Sequence, residues 1–416
     1  MHKLKALIPQ SLKNIYHLVQ AILANVWFGF PSKKLKVIGV TGTDGKTTTV
    51  QMITKILEEA GKKTAMASTI NFRINGQEEK NLSHFTTLSA FAVQKFLKRA
   101  AKEGCEYAVL ETSSHSLDQY RVWGIDYRTA VVTNVTREHL DYHKTMENYR
   151  RTKARLFAKT KITIVNADME DPDEFLSFPN EKKMTYGIKN NADVKAENIK
   201  QSITGSKYEI RNMEFELQLP ALFNIENALA ATCVALGEGI ELETIKDALS
   251  KIKGVPGRLE AVVNTRGVDI IVDFALTPES LEKLYGFLQG AKRKPDSKII
   301  AVFGSCGDRD KGKRPIMGEV VSKYADVIVL TNDEPYHEDP EKIIAEIAVG
   351  IENKTEGENF WKIPDRREAI RKALQIAGEG DIIAVTGMGA EESMVVKGKK
   401  VPWNDRQVIE EELKKL

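Results

Sequence analysis

Short apolar runs alternate with helix-patterned stretches from Lys36 onward, and this rhythm constrains the fold more than any single motif does. The run "KVIGVT" (36–41) comes first, and 46–60 carries a helical pattern. "TAMAST" (64–69) reads as a strand, 88–103 as a helix, and "EYAVLE" (106–111) and "TAVVTNV" (129–135) as further strands. A helix over 146–158 and a strand at "TIVNA" (163–167) extend the series. Residues 192–220 then break into short β-prone pieces with turn signals at "NNAD" and "TGSK". "NIENALAATCVALGEG" predicts a helix with small residues on its packing face. A second series follows "GVPGR" (254–258), with strands expected in "VDIIVDFA", "SKIIAVFG", "ADVIVLT" and "GDIIAVTG". Each ends at polar or glycine-rich residues, where open α/β sheets bind their ligands. The pattern predicts an α/β fold: a P-loop-type, mostly parallel central sheet domain followed by a smaller Rossmann-like domain. The expected boundaries are an N-terminal helical segment (1–34), a central domain (35–256) and a C-terminal domain (257–416).

Length and composition agree with this organisation. A chain of 416 residues, 42% hydrophobic and 29% charged, can bury two or three cores. A net charge of +3 gives no electrostatic argument for nucleic acid. Cys105, Cys233 and Cys306 are far apart and form no Cys-x-x-Cys pair, which disfavours a disulfide framework and a zinc site. A reducing compartment, the cytoplasm, is expected, with the monomer as the favoured state. The stretch "SLKNIYHLVQAILANVWFGF" (11–30) is apolar but interrupted by Lys13, Asn14, His17, Gln20 and Asn25. A spanning helix needs about 20 mostly apolar residues, and a signal peptide needs a compact apolar run and a cleavage site. Neither is met. An amphipathic helix is expected instead, packed on the protein or touching a membrane surface or partner.

"VIGVTGTDGKTTT" (37–49) has the strand–loop–helix context of a phosphate-binding loop. The usual Gly-x-x-x-x-Gly-Lys-Ser/Thr spacing is not met, because Val40 stands where the first glycine belongs. Gly42 and Gly45 let backbone N–H groups turn toward an anion, Lys46 supplies a point charge, and Thr47 a hydroxyl for Mg²⁺. Thr43, Asp44 and Thr48 complete the expected ATP contacts. Glu111 ends an apolar run, where a carboxylate is costly unless it meets a cation. In "VVTNVTREHLDYH" (131–143) a strand is expected to end at Asn134, with His139 beyond it. Glu111 and His139 are donors that could hold a divalent ion near the loop. Taken alone, His139 is as easily a core or surface histidine.

The stretches "TGTDGKTTT", "ETSSHSLD", "NVTREHLDYHKTMENYRRTKARLF", "LFNIENALAA", "VPGRLE", "VDFALTPESL" and "VFGSCGDRDKGKRPIMG" occur in this order. Together they resemble the Mur ligase family, most of all its branch that adds the third amino acid to UDP-N-acetylmuramoyl-dipeptide. The likeness runs from about residue 36 to the end. It implies an ATP-dependent ligase that phosphorylates a substrate carboxylate and joins the acyl phosphate to an amino group. Lys46, Glu111, His139 and Lys153 are then the implied catalytic set. Thr47, Glu111, His139 and Lys153, the last as a CO₂-derived carbamate, are the implied metal ligands. Asn134 is grouped with the expected ATP contacts, and Asn227, Arg258 and Asp273 match nucleotide-contacting positions of the family. Thr86, Thr87, Ser113 and His115 are placed near the acceptor peptide. The implied substrates are small molecules, and peptidoglycan synthesis is the implied process.

The chain also departs from the family pattern. Only about 35 residues precede the phosphate loop, so the part that grips the UDP-sugar is expected to be absent or minimal. The acceptor would then be held by its peptide end or by a partner, or be a different, lipid-linked precursor. "TNDEPYHEDP" (331–340) stands where diaminopimelate-adding relatives carry Asp-Asn-Pro-Arg. Their arginine clamps a distal carboxylate; Glu334 and Tyr336 cannot. With Asp333 and Glu391 they suit lysine or ornithine instead, while Arg309 suits the α-carboxylate. Leu276 replaces a usual histidine, and "GMGAE" a Gly-Lys-Gly-His-Glu pattern. Two other readings remain at this point: a ligase of the folylpolyglutamate or cyanophycin kind, and a nucleotide-binding scaffold without turnover.

Overall fold

The computed structural model describes residues 10–83 and 85–416, so residues 1–9 of the expected N-terminal segment lie outside the described residues. Helix α1 (Gln10–Phe28) opens the described chain. The first unit then runs β1 (Lys36–Thr41), α2 (Lys46–Glu59), β2 (Thr64–Ala67), β3 (Asn71–Ile74), β4 (Gln77–Lys80), α3 (Ala90–Lys102) and β5 (Tyr107–Glu111). It continues with α4 (Ser114–Asp118), β6 (Tyr127–Val132), α5 (Leu140–His143), α6 (Met146–Ala154), β7 (Ile162–Asn166), α7 (Asp173–Leu176), β8 (Lys182–Gly187) and β9 (Val194–Lys195). These nine strands form one sheet in the order β4-β3-β2-β5-β1-β6-β7-β8-β9. It is parallel except for the β3–β4 hairpin and its pairing to β2.

Helix α2 buries Val50, Met52, Ile53, Ile56 and Leu57, an i, i+3, i+4 set, against one face of this sheet. A small antiparallel sheet of β10 (Glu197–Ser202), β11 (Gly205–Ile210) and β12 (Met213–Leu217) leads into α8 (Leu222–Gly237) and α9 (Leu242–Ser250). Helix α8 lies between α2 and strands β7 and β8, so its Ala228, Ala230, Ala231 and Ala235 must be small. On the other face Leu97 and Ala100 of α3 belong to one buried apolar cluster with Tyr149 of α6 and Phe157.

The second unit comprises β13 (Glu260–Val262), β14 (Asp269–Asp273), α10 (Pro278–Gly290), β15 (Ile299–Phe303), α11 (Lys313–Tyr324), β16 (Val327–Leu330) and α12 (Pro340–Ala348). It ends with β17 (Phe360–Lys362), α13 (Arg366–Ile376), β18 (Ile382–Thr386), the ribbon β19 (Ser393–Val396) and β20 (Lys399–Pro402), and α14 (Asp405–Leu413). Its six-stranded sheet has the order β13-β14-β18-β15-β16-β17 and is parallel apart from β13. Both sheets are thus covered on two faces, which is why their strands are nearly continuous apolar runs.

The structure corrects several local expectations. The strand expected over 129–135 begins at Tyr127 and stops at Val132, since Thr133 and Asn134 turn their side chains to the phosphate loop. The helix expected over 146–158 ends at Ala154 and tightens into a 3₁₀ turn at Arg155–Phe157. Strands β3, β4, β8, β13 and β17 carried no clear period-2 signal; β4 and the first two residues of β8, Lys182 and Lys183, are solvent-exposed. Among the described residues no helix is long and apolar enough to cross a membrane.

Candidate active site

Strand order brings three carboxyl ends together. Strand β1 sits between β5 and β6, with Val40 opposite Glu111 and Thr41 opposite Val132. The loop after β1, the end of β5 and the segment 133–139 therefore meet at one place. The second unit faces it, and the cleft between them encloses about 310 Å³.

The phosphate loop is built around two glycines. Gly42 has φ +150°, and a Cβ there would fall 1.8 Å from Thr133 Oγ1. Gly45 has φ +81° and would meet Asn227 Oδ1 at 2.3 Å. Thr133 Oγ1 donates to the Asp44 carbonyl at 2.6 Å, and the Asp44 N–H donates to Asn134 Oδ1 at 2.9 Å. Lys46 Nζ curls back onto the carbonyls of Gly42 and Thr43, at 3.1 and 2.6 Å. Asp44 is the misfit: its Oδ2 is buried without a hydrogen-bond partner among the described residues, and burial pushes its carboxyl up despite nearby Lys46.

Thr47 Oγ1 lies 3.1 and 3.2 Å from the two oxygens of Glu111, which also accepts the Thr69 N–H at 2.8 Å. That pair fits an ion shared between protein and phosphate oxygens, because magnesium takes few protein ligands. His139 stands in the left-handed region, φ +57°, at the cleft wall, its ring 4.6 Å from that of His115. Burial holds His139 well below the usual histidine range and His115 at about 3, so both are neutral at pH 7. Lys153 is 1% exposed and does not line the cleft. Its Nζ donates to the Gly42 carbonyl at 2.6 Å, beneath the loop, and lies 4.3 Å from the Tyr149 ring. Burial, with Lys46 nearby, drives its amine well below the ordinary lysine range. Among the described residues no three His, Cys, Asp or Glu stand close enough to hold an ion by themselves.

The remaining expected residues sort by wall. Asn227 takes the Thr49 hydroxyl at 3.2 Å and lines the cleft with Thr43, Thr48 and Asn134. Arg258 stacks on Phe274 at 4.4 Å and reaches Thr47 Oγ1 at 3.4 Å, so the second unit touches the phosphate loop. Asp273 accepts the N–H groups of Leu259 and Ala275, both at 2.7 Å, which fixes the chain entering that unit. Arg309, Asp333, Glu334, Tyr336 and Glu391 all reach the cleft from the second unit. The Arg309 guanidinium lies 5.6 Å from the Tyr336 ring, and the Tyr336 hydroxyl donates to Glu334 at 3.0 Å. Asp333 has one buried oxygen without a hydrogen-bond partner among the described residues, and burial pushes its carboxyl to about 7. Thr86 lines the cleft, whereas Thr87, Ser113 and His115 do not; the Thr87 hydroxyl donates to Ser113 Oγ at 3.1 Å.

Groups at and beside this site also escaped sequence reasoning. Lys313 and Glu138 form a buried ion pair at 3.1 Å across the two units. Both lay inside quoted motifs, but only the fold pairs residues 175 apart. Arg121 lies over the Phe85 ring at 5.3 Å and donates to the Thr87 carbonyl at 3.3 Å; a single arginine in "DQYRVWG" carries no signal.

Comparison with known proteins matches this geometry. The Mur ligase middle domain matches residues 40–235, and the Mur ligase glutamate ligase domain residues 257–389. The UDP-N-acetylmuramoyl-L-alanyl-D-glutamate–2,6-diaminopimelate ligase of Clostridium botulinum is 41% identical over 402 residues, covering 95% of this chain and 81% of that protein. The chain belongs to the Mur ligase family. A solved structure of a ligase of that same name is 34% identical and covers 92% of this Mur ligase and 78% of its own chain, at TM-score 0.62. Folylpolyglutamate synthase of Mycobacterium tuberculosis shares the fold at TM-score 0.71, covering 90% and 96%, but at 16% identity. That likeness speaks for the fold alone. Mur ligases are ATP-dependent enzymes that form amide bonds, and in this Mur ligase the cleft lies between the two matched domains.

Proposed function

We propose that this Mur ligase extends a muramoyl-dipeptide-type precursor by its third amino acid. One observation carries the reading: a single cleft is walled by a phosphate loop on one unit and by Arg309 and an acidic cluster on the other. A precursor carboxylate oxygen attacks the γ-phosphorus of ATP, ADP leaves, and an acyl phosphate forms. The amine of the amino acid then attacks the acyl carbon and phosphate leaves. Mg²⁺ supplies charge neutralisation between the phosphates and the attacking carboxylate. Thr47 and Glu111 would hold it, with His139 offering a neutral nitrogen. Lys46 must leave the Gly42 and Thr43 carbonyls to reach the phosphates.

Lys153 suits carbamylation because burial favours the uncharged amine, the form that attacks CO₂ as it gives up a proton, and the resulting anion would be stabilised beside Lys46. The lysine must first release the Gly42 carbonyl. A ¹³C-carbamate signal from labelled bicarbonate, lost in Lys153→Arg, tests this. Units 35–256 and 257–416 act as separate domains that close over the substrates, bending near Gly254–Gly257, where a Cβ added at Gly254 would meet no other atom within 4 Å. Arg309 would take the α-carboxylate of the amino acid. The acidic wall of Glu334 and Glu391 favours a cationic side chain, lysine or ornithine. The competing amino acid is diaminopimelate, the substrate in the relatives' names. Its use of ATP supports a cytoplasmic location, where ATP is available.

The test is phosphate release by purified protein with ATP, Mg²⁺ and UDP-N-acetylmuramoyl-dipeptide, against lysine, ornithine and diaminopimelate. Acceptor-dependent release with a tripeptide product supports the proposal. Silence with every amino acid overturns the acceptor, and a tenfold preference for diaminopimelate overturns the side-chain reading alone.

A further inference from the structure

Helix α1 is docked by little of its surface. Ala21, Ala24 and Asn25 are fully buried, Ala21 and Ala24 against Ala90 of α3. Asn25 Nδ2 donates to the Trp123 carbonyl at 2.8 Å. Near its start, Asn14 Nδ2 donates to Asp118 at 3.0 Å. The outer face carries Leu12, Ile15, Tyr16, Val19, Ile22, Leu23, Val26 and Trp27, all exposed, with Tyr16 at 61%, Val26 at 63% and Trp27 at 80%. Spacings of three, four and seven place these on one stripe along about five helical turns. A monomeric protein rarely leaves a contiguous stripe of this kind open.

The charge around the stripe says what covers it. From Met1 to Thr43 the sequence holds six lysines and no aspartate or glutamate. Lys33 and Lys34, exposed, follow directly after α1. Phe28 meets Phe91 edge-on at 6.5 Å, and from Phe91 exposed lysines recur at Lys95, Lys98 and Lys102, one face of α3. A second copy is a poor occupant. One face of a helix about 28 Å long falls short of the roughly 800 Å² per partner of a stable interface, and it would set lysines against lysines. An apolar stripe with aromatic residues, on a segment that carries lysines and no acid of its own, matches an anionic lipid surface.

We propose that α1 lies in the headgroup plane of an anionic phospholipid bilayer, its apolar stripe inward and the flanking lysines on lipid phosphates. The helix does not cross the bilayer. The ligase is thereby held at a membrane surface by a segment outside its cleft. This inference does not depend on the acceptor or amino acid proposed above.

The experiment is co-sedimentation of the full chain with vesicles of phosphatidylcholine alone or with 30% phosphatidylglycerol, on the order of the anionic content that recruits polybasic segments. Leu23→Glu with Val26→Glu is the stripe variant, and Lys33→Gln with Lys34→Gln the charge variant. We expect partition onto the anionic vesicles, at least about tenfold weaker on neutral ones and in 0.5 M salt, a concentration on the order of that which shortens the Debye length below ~5 Å. The stripe variant should lose about tenfold or more while keeping the wild-type melting temperature and ATP affinity. Trp27 emission should shift to the blue on binding, a shift absent from Trp27→Phe. Failure to bind anionic vesicles, or equal binding by the stripe variant, overturns the proposal. So does a dimer by light scattering that the stripe variant splits, since the stripe would then be a self-interface.

Discussion

Asp44 sits in a loop built to receive phosphate, yet brings a carboxylate with one buried oxygen that lacks a hydrogen-bond partner among the described residues. Its folded-state pKa is raised by burial, so the charged form weakens the fold above the ordinary carboxylate range and costs nothing below it. Asp44→Asn is therefore expected to keep or tighten ATP binding and to raise the melting temperature at pH 7. The gain should vanish as pH falls below that range. Calorimetry and melting curves at two pH values check both, and a clear loss of ATP binding would give Asp44 a role of its own. Asp333 makes the opposite use of burial. With its carboxyl near 7 and one oxygen without a hydrogen-bond partner among the described residues, it can take the proton that the incoming ammonium must lose. The carboxylate is the active form, so kcat/KM for the amino acid should fall as pH drops through about 7. Asp333→Asn should lower kcat/KM by roughly 10²-fold and flatten that limb. An unchanged profile would make it a binding residue only.

At the scale of elements, the phosphate loop shows how far local sequence reaches. "TGTDGKTTT" between a strand and a helix announced both the loop and the start of α2, and the structure begins that helix at Lys46. The reason for Gly45 was not legible, because the obstacle to a Cβ is Asn227 on α8, 182 positions away in the printed sequence. Gly45→Ala combines a positive φ with that clash. It is expected to destabilise the protein by about 1–3 kcal/mol and to weaken ATP binding at least about tenfold. Denaturant melts and nucleotide titration measure both, and wild-type values in each would show that the loop relaxes freely. Helix α1 was legible as amphipathic. Which of its faces would be covered was not, since that depends on Ala90 and Trp123 meeting it from elsewhere. The exposed edge strand β4 went unread because solvent contact on all of its residues erases the period-2 pattern.

Over the whole molecule, the two units meet through Arg258 at Thr47 and the buried Lys313–Glu138 pair. Removing one partner of a buried pair leaves the other charge uncompensated. Glu138→Gln should cost roughly 3 kcal/mol of unit–unit docking and speed hydrogen exchange along the cleft. Adding Lys313→Met should restore much of it. A Glu138→Gln protein with wild-type exchange would show that the pair does not hold the cleft closed. What the sequence determined by itself was the fold class, the alternation that lays two parallel sheets in series, and the phosphate loop, because these depend on local periodicity and on glycine chemistry within a few residues. Only the tertiary structure decided that Lys153 lies beneath the loop rather than in the cleft. It also decided that Lys313 finds Glu138 and that one face of α1 stays open. Those outcomes depend on which distant surfaces come within a few ångströms, and on how burial there shifts the cost of a charge, and no short window of sequence carries either.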